Sequence, residues 1–430
     1  MKTLIENITV IFHDGSYEEN IYVAYDKGRF TYVGKGAPTG DFQRKINGSG
    51  KIMIPGLYNC HAHSPMTHFR GMAEDLPLDR WLNEAIFPAE DKLNGSLAYT
   101  GALLSCAEMI ASGTVSMSDM YFFCPQIAEA IGKAGMKANI SRCVVSFDEN
   151  AEMKNDVRVL EALELFNSYN NAFDGRIKVD MSLHAEYTNT ENSCRYVADL
   201  AKRLGCGIQV HLSETQKEHI EAKHRHGMTA CELFEKTGVF DSVTNAAHCV
   251  WVEDGDIDIM AKRGVTVSHN PISNLKLGSG VAPLEKMINK GINVTLGTDG
   301  AASNNRLSIL NELNAASLIH RGVTGNTEFP GASILLPMAT ANGARSQMRD
   351  DCGMIKAGCK ADFALIDVTK CHNIPSYSPV NTLLYTVYPT DVCLTVCDGV
   401  TLYENGDFKT IDIEKLKYEM NNSRSHFTEG

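Results

Sequence analysis

Along its first fifty residues the chain alternates between polar and apolar positions. Met1 to Phe12 follows that rhythm, and Asn20 to Ala24 and Arg29 to Gly34 are β-rich runs flanking Asp26-Lys27-Gly28, a hairpin signal. The last eighty residues read in a similar way. Asp362 to Val368, Val392 to Cys397 and Val400 to Tyr403 are short strand candidates separated by Gly, Asp or Asn. The middle differs. Eight apolar or β-branched runs occur there: Ile52–Asn59, Thr114–Ser118, Lys137–Arg142, Lys178–His184, Gly207–His211, Thr244–His248, Val265–His269 and Asn293–Thr298. Helical stretches such as Ser193–Leu204 and Ala230–Lys236 lie between most of them. Alternating strands and helices imply a parallel sheet. Eight such repeats over roughly 250 residues predict an α/β architecture, a (β/α)8 TIM barrel. The two β-rich ends are expected to join in a small β-sandwich, so that residues 1–54 and 349–430 flank a barrel over 55–348.

Composition narrows this picture. The chain has 430 residues, 43% hydrophobic and 21% charged, enough to bury a full core. With 40 Lys and Arg against 52 Asp and Glu, the net charge is −12 and no basic cluster offsets it, which argues against nucleic acid or an anionic membrane as partner. No run of about 18 apolar residues predicts a membrane span. The thirteen cysteines are scattered, without a Cys-x-x-Cys, and Cys60, Cys124, Cys249 and Cys397 sit among apolar neighbours. They read as free buried thiols of a reducing compartment. The N-terminus lacks the basic start and apolar block of a signal peptide, so a cytoplasmic location is expected. A homo-oligomer is compatible with this composition.

Candidate chemistry lies at the strand ends. Of fourteen histidines, six (His61, His63, His184, His211, His248 and His269) fall at or just after the C-terminal ends of predicted barrel strands, and Asp299 follows the eighth. That face of a TIM barrel carries the active site, so these side chains are expected to converge. One histidine at a strand end is usually structural; six with an aspartate are not explained that way. His61 and His63 stand two apart on an extended segment and so point to the same side. With His211 and Asp299 they offer three imidazoles and a carboxylate, a set that suits Zn²⁺ and also accepts Fe²⁺. One divalent ion so held would bring a water's pKa to about 7. Glu214, three residues after His211, is placed to carry a proton, and His248 to orient the water or stabilise developing charge. Asp299 can serve as both ligand and base. His269 reads more plainly as a core histidine.

Together these residues resemble the amidohydrolase superfamily, from about Lys51 to Asp367. Within it the chain is similar to the S-adenosylhomocysteine/5′-methylthioadenosine deaminase group. The similar stretches run from Pro55 to Thr67, which includes His61-Ala62-His63, and from Arg70 to Leu78. Others are His211-Leu212-Ser213-Glu214-Thr215, Ser268 to Leu277 and Gly297 to Asn305. The resemblance implies hydrolytic deamination of an adenine nucleoside: S-adenosylhomocysteine, 5′-methylthioadenosine or adenosine. Water activated by the metal adds to the carbon bearing the amine, Glu214 protonates the adjacent ring nitrogen, His248 and Asp299 handle the water's proton, and ammonia leaves. It also implies that Glu90 binds the ribose hydroxyls, His184 contacts the purine and Arg142 reaches the carboxylate of a homocysteine tail.

Three departures from the family pattern stand out. The usual His-Ala-Pro-Tyr is here His184-Ala185-Glu186-Tyr187, which puts an extra carboxylate either near the base pocket or in solvent. The second tail-binding arginine has no clear match; Lys154 stands at about the right distance, without an arginine's bidentate fork. Strand four ends in Met181-Ser182-Leu183-His184 with no lysine to bridge two ions, so one metal is implied. Among alternatives, the deaminase fold built on His-x-Glu and Pro-Cys-x-x-Cys fails for want of the cysteines. Guanine, a pterin or a chlorinated triazine remain rival substrates on the same scaffold. A non-enzymatic scaffold protein is disfavoured by the complete ligand set.

Overall fold

The computed structural model describes residues 1–428. The chain begins with β1 (Thr3–Ile11), β2 (Tyr17–Asp26), β3 (Arg29–Gly34), β4 (Arg44–Asn47) and β5 (Lys51–Pro55). The hairpin between β2 and β3 turns through Lys27 and Gly28, both at positive φ. The C-terminal strands are β15 (Phe363–Asp367), β16 (Val392–Cys397), β17 (Val400–Glu404) and β18 (Asp407–Phe408). Strands from both ends form one nine-stranded sheet. β5 lies at its centre, parallel to β1 and antiparallel to β15 over five residue pairs. A separate apolar cluster that includes Ile5, Ile8, Val23, Phe30, Met53 and Phe363 fills this unit.

Between the ends run β6 (Leu57–His63), β7 (Thr114–Tyr121), β8 (Lys137–Val144), β9 (Ile177–Leu183), β10 (Ile208–Leu212), β11 (Thr244–His248), β12 (Thr266–His269), β13 (Asn293–Leu296) and β14 (Asp299–Gly300). Neighbours pair in parallel, and β14 returns to pair with β6. β13 and β14 are two pieces of one strand position interrupted at Gly297-Thr298. There Asn59 replaces the missing ladder: its amide donates to Thr298 Oγ1 at 2.7 Å and accepts from Thr298 N at 3.0 Å. A β-carbon at Gly297 would collide with Asn270, Ser268 and His61, so only glycine lets the last strand close against the first. The run expected as one strand over Ile52–Asn59 is two: its first half belongs to the small sheet, and the chain crosses into the barrel at Gly56. The buried Lys137 at the start of β8 joins the units, its ammonium 2.6 Å from Asp362 and 2.9 Å from Asp398. No helix among the described residues is long and apolar enough to cross a membrane.

Candidate active site

Three barrel strands bring the proposed ligands together. His61 and His63 close β6, His211 sits near the end of β10, and Asp299 opens β14. The His61 and His63 Nε2 atoms lie 3.4 and 3.2 Å from Asp299 Oδ1, and His211 Nε2 lies 3.4 Å from His63 Nε2. The outer nitrogens are already committed. His63 Nδ1 donates to Met120 O and His211 Nδ1 to His184 O, both at 2.6 Å. The inner Nε2 atoms of His63 and His211 therefore face each other, and the buried His61 Nε2 has no hydrogen-bond partner. Ligand atoms of His61, His63 and His211, and of His61, His248 and Asp299, lie within 4.8 Å of one another. The residues fit a divalent ion by their chemistry, and carbonyls that fix each tautomer are the usual support for such ligands.

Backbone strain marks the same place. Ser213, His248, Cys249 and Asp299 all adopt left-handed φ, between +46° and +71°. Non-glycine residues occupy that region when their surroundings impose it. At Asp299 the constraint is visible: Ser273 and Ser303 hydroxyls each donate to Oδ2 at 2.7 Å, which leaves Oδ1 to the histidines. Burial alone would raise the Asp299 carboxyl, yet the His61 and His63 rings hold it well below the usual carboxylate range. Burial pulls the His61 and His184 rings down to about 4.

Glu214 is 7% exposed. Its carboxyl accepts from Ser279 Oγ at 3.3 Å and stands 3.7 Å from His248 Nε2. Burial raises its proton affinity. Glu90, in the short helix Phe87–Glu90, accepts from the Tyr121 hydroxyl at 2.6 Å, and burial raises it to about 7. These two glutamates, with His184, His248, Asp299 and Arg142, line one cavity of about 430 Å3. Arg142 is steadied by Glu161 at 2.6 Å and by its own neighbour's carbonyl, Cys143 O.

Glu186 and Lys154 stand elsewhere than the sequence suggested, while His269 is buried as a core histidine. Glu186 reaches neither the base pocket nor solvent. It is 1% exposed and bound by Arg225 at 2.7 Å and His226 at 2.6 Å, both from the end of the helix Gln216–His226. The basic run His224-Arg225-His226 is the signal that such a buried acid needs a partner. His269 leaves the cluster and pairs with His320, Nε2 to Nε2 at 3.0 Å. Lys154 is exposed and paired with Glu152, away from the cavity. The cavity's second arginine is Arg158, which the sequence reading missed. Asp156 caps the helix Val157–Tyr169 by accepting from Arg158 N at 2.8 Å, and so sets Arg158 in its first turn. That Asp before an apolar periodic run was the readable trace.

Comparison with known proteins agrees with this geometry. A model of the Amidohydrolase family matches residues 52–402. A 5-methylthioadenosine/S-adenosylhomocysteine deaminase of Acetivibrio thermocellus is 41% identical over 426 residues, covering 98% of each chain. A 5'-deoxyadenosine deaminase of Methanothermobacter thermautotrophicus is 41% identical over 399 residues, covering 93% of this chain and 92% of its own. Among solved structures, an adenosine deaminase of Xanthomonas campestris with bound zinc superposes with a TM-score of 0.93 at 28% identity, over 99% of this chain and 98% of its own. With a family match across most of its length and near-complete relatives at 41% identity, this chain belongs to the amidohydrolase family.

Proposed function

We propose that this enzyme hydrolytically deaminates an adenine nucleoside (S-adenosylhomocysteine, 5′-methylthioadenosine or adenosine), releasing ammonia. The observation that carries the reading is a single cavity lined by His63, His211 and Asp299 from the ligand set and also by Glu90, Arg142 and Arg158. The first group suits hydrolysis at a ring carbon; the second suits a sugar and an anionic tail. The names of the nearly full-length relatives support the same substrate class.

One divalent ion, zinc or alternatively iron(II), would be held by His61, His63, His211 and Asp299. β9 ends without a lysine to bridge a second ion. When bound, the ion supplies the Lewis acidity that makes water nucleophilic near neutral pH. Glu214, whose proton affinity burial raises, delivers a proton to the ring nitrogen beside the amine-bearing carbon. His248 and Asp299 take up the water's proton and return it to the leaving amine, which departs as ammonia. His184 faces the purine, Glu90 the ribose hydroxyls, and Arg142 with Arg158 the tail carboxylate of S-adenosylhomocysteine. The thirteen free thiols support a reducing, cytoplasmic setting.

The test is ammonia release from adenosine, S-adenosylhomocysteine, 5′-methylthioadenosine, guanine and pterin, each at matched concentration. The reading requires the adenine nucleosides to exceed guanine and pterin by orders of magnitude in kcat/KM. Preference for guanine or pterin would replace it.

A further inference from the structure

The stretch Ser268-His269-Asn270-Pro271-Ile272-Ser273-Asn274-Leu275 carries chemistry that none of the roles above uses. β12 ends at His269, and the short helix Pro271–Lys276 follows. That helix touches the site twice. Ser273 Oγ holds Asp299 Oδ2, and Asn274 Oδ1 lies 2.8 Å from His248 Nδ1. Ser273 and Asn274 are both wholly buried. His248 ends β11 in a left-handed backbone at φ +71°, so its ring direction depends on what grips it.

Two arrangements of the His248–Asn274 pair can be drawn. Either the ring Nδ1–H donates to the amide oxygen, or the amide nitrogen donates to a bare Nδ1. The second puts the neutral ring's proton on Nε2. It would occupy, with a proton, the nitrogen that stands 3.7 Å from Glu214 Oε2 and has to receive the water's proton. The first leaves Nε2 bare, 3.7 Å from Glu214 Oε2. Asn274 Oδ1 is the amide atom that faces the ring, 2.8 Å from Nδ1, as the first arrangement requires. Asn270 Nδ2 also approaches Nδ1, but at 3.3 Å, and the shorter contact prevails.

We propose that Asn274 is a positioning residue for the deamination: by accepting the His248 Nδ1 proton it fixes the ring's tautomer and rotation so that Nε2 meets the attacking water unprotonated. Asn274 touches no reacting atom and acts through His248. One short helix then aligns both groups that receive the water's proton, Ser273 acting on Asp299 and Asn274 on His248. The kinetic consequence rests on the deaminase reading; the tautomer does not.

Asn274→Ala and Asn274→Asp separate the cases, because aspartate keeps the acceptor and cannot donate. In zinc-loaded protein with 15N-labelled histidine, the His248 resonances, assigned by their loss in His248→Gln, should report a proton on Nδ1 in the parent and in Asn274→Asp. Asn274→Ala should lose that signature. Its kcat should fall about 10- to 100-fold while KM and zinc content stay within about twofold, the size typical of a group that orients a site histidine. Affinity for a tetrahedral hydrated-purine analogue should fall by the same factor, and affinity for the deaminated product should not. A parent His248 protonated on Nε2 overturns the proposal. So does parental kcat in Asn274→Ala, or loss of zinc and product binding in step with kcat, which would mark a merely structural role. Absence of deaminase activity in the parent would defeat the functional reading and leave the ring spectrum to decide the tautomer.

Discussion

The proposed ligand set and the loop-borne part of the same cavity wall are built in different ways. His61, His63, His211 and Asp299 project from strands that ladder into a closed barrel, so their mutual distances follow from strand register. Glu90, Phe147 and Arg158 come from connections outside the barrel ladder, and Phe147 is 77% exposed. The lesson is that a fixed frame carries the chemistry while the loops choose the substrate, as is general for this architecture.

The strongest way to break that contrast is to remove a frame residue. His61→Ala or Asp299→Ala should abolish both metal binding and turnover, by elemental analysis and ammonia release. Full activity in either variant would show that the ion is held elsewhere. Next in size is Glu214→Gln, which should retain the metal and lower kcat by ~10²- to 10⁴-fold, the usual worth of a positioned proton donor. A variant within about twofold of the parent would remove Glu214 from the chemical step.

The same contrast explains what the sequence disclosed. Barrel strands declared themselves as short apolar or β-branched runs, four of which end in a histidine: His184, His211, His248 and His269. His61-x-His63 was legible because residues two apart on a strand share a side. His269 looked equivalent by that rule, but its ring turns to His320, fifty-one residues further on, a contact no local spacing encodes. Glu186 misled for a similar reason, since its partners Arg225 and His226 arrive from a later helix. Lys154 and Arg158 show the limit for loops. Spacing from Arg142 pointed to the lysine, whereas the path of residues 145–157 and the Asp156 cap deliver the arginine. At the chain ends the strands were readable, but β5 and β6 read as a single strand because they form one apolar run.

Smaller effects sharpen the substrate side. Arg158→Ala should cost about 10- to 100-fold in kcat/KM for S-adenosylhomocysteine, the equivalent of a charged hydrogen bond of about 1.5–3 kcal/mol, and spare 5′-methylthioadenosine. Lys154→Ala should leave both substrates unchanged; the opposite pattern would return the tail contact to the lysine. Glu90→Ala should lower kcat/KM for nucleosides about tenfold, the loss of hydrogen bonds worth about 1 kcal/mol each, with little effect on free bases. Equal losses on both would remove Glu90 from the ribose.

The most direct test of a single-ion hydrolytic site is to strip the protein of metal and titrate zinc back while following ammonia release from 5′-methylthioadenosine. Activity should be absent at the start, rise in proportion to added zinc and level off at one ion per chain. Turnover by the metal-free protein, or a plateau reached only at two ions per chain, would contradict the account.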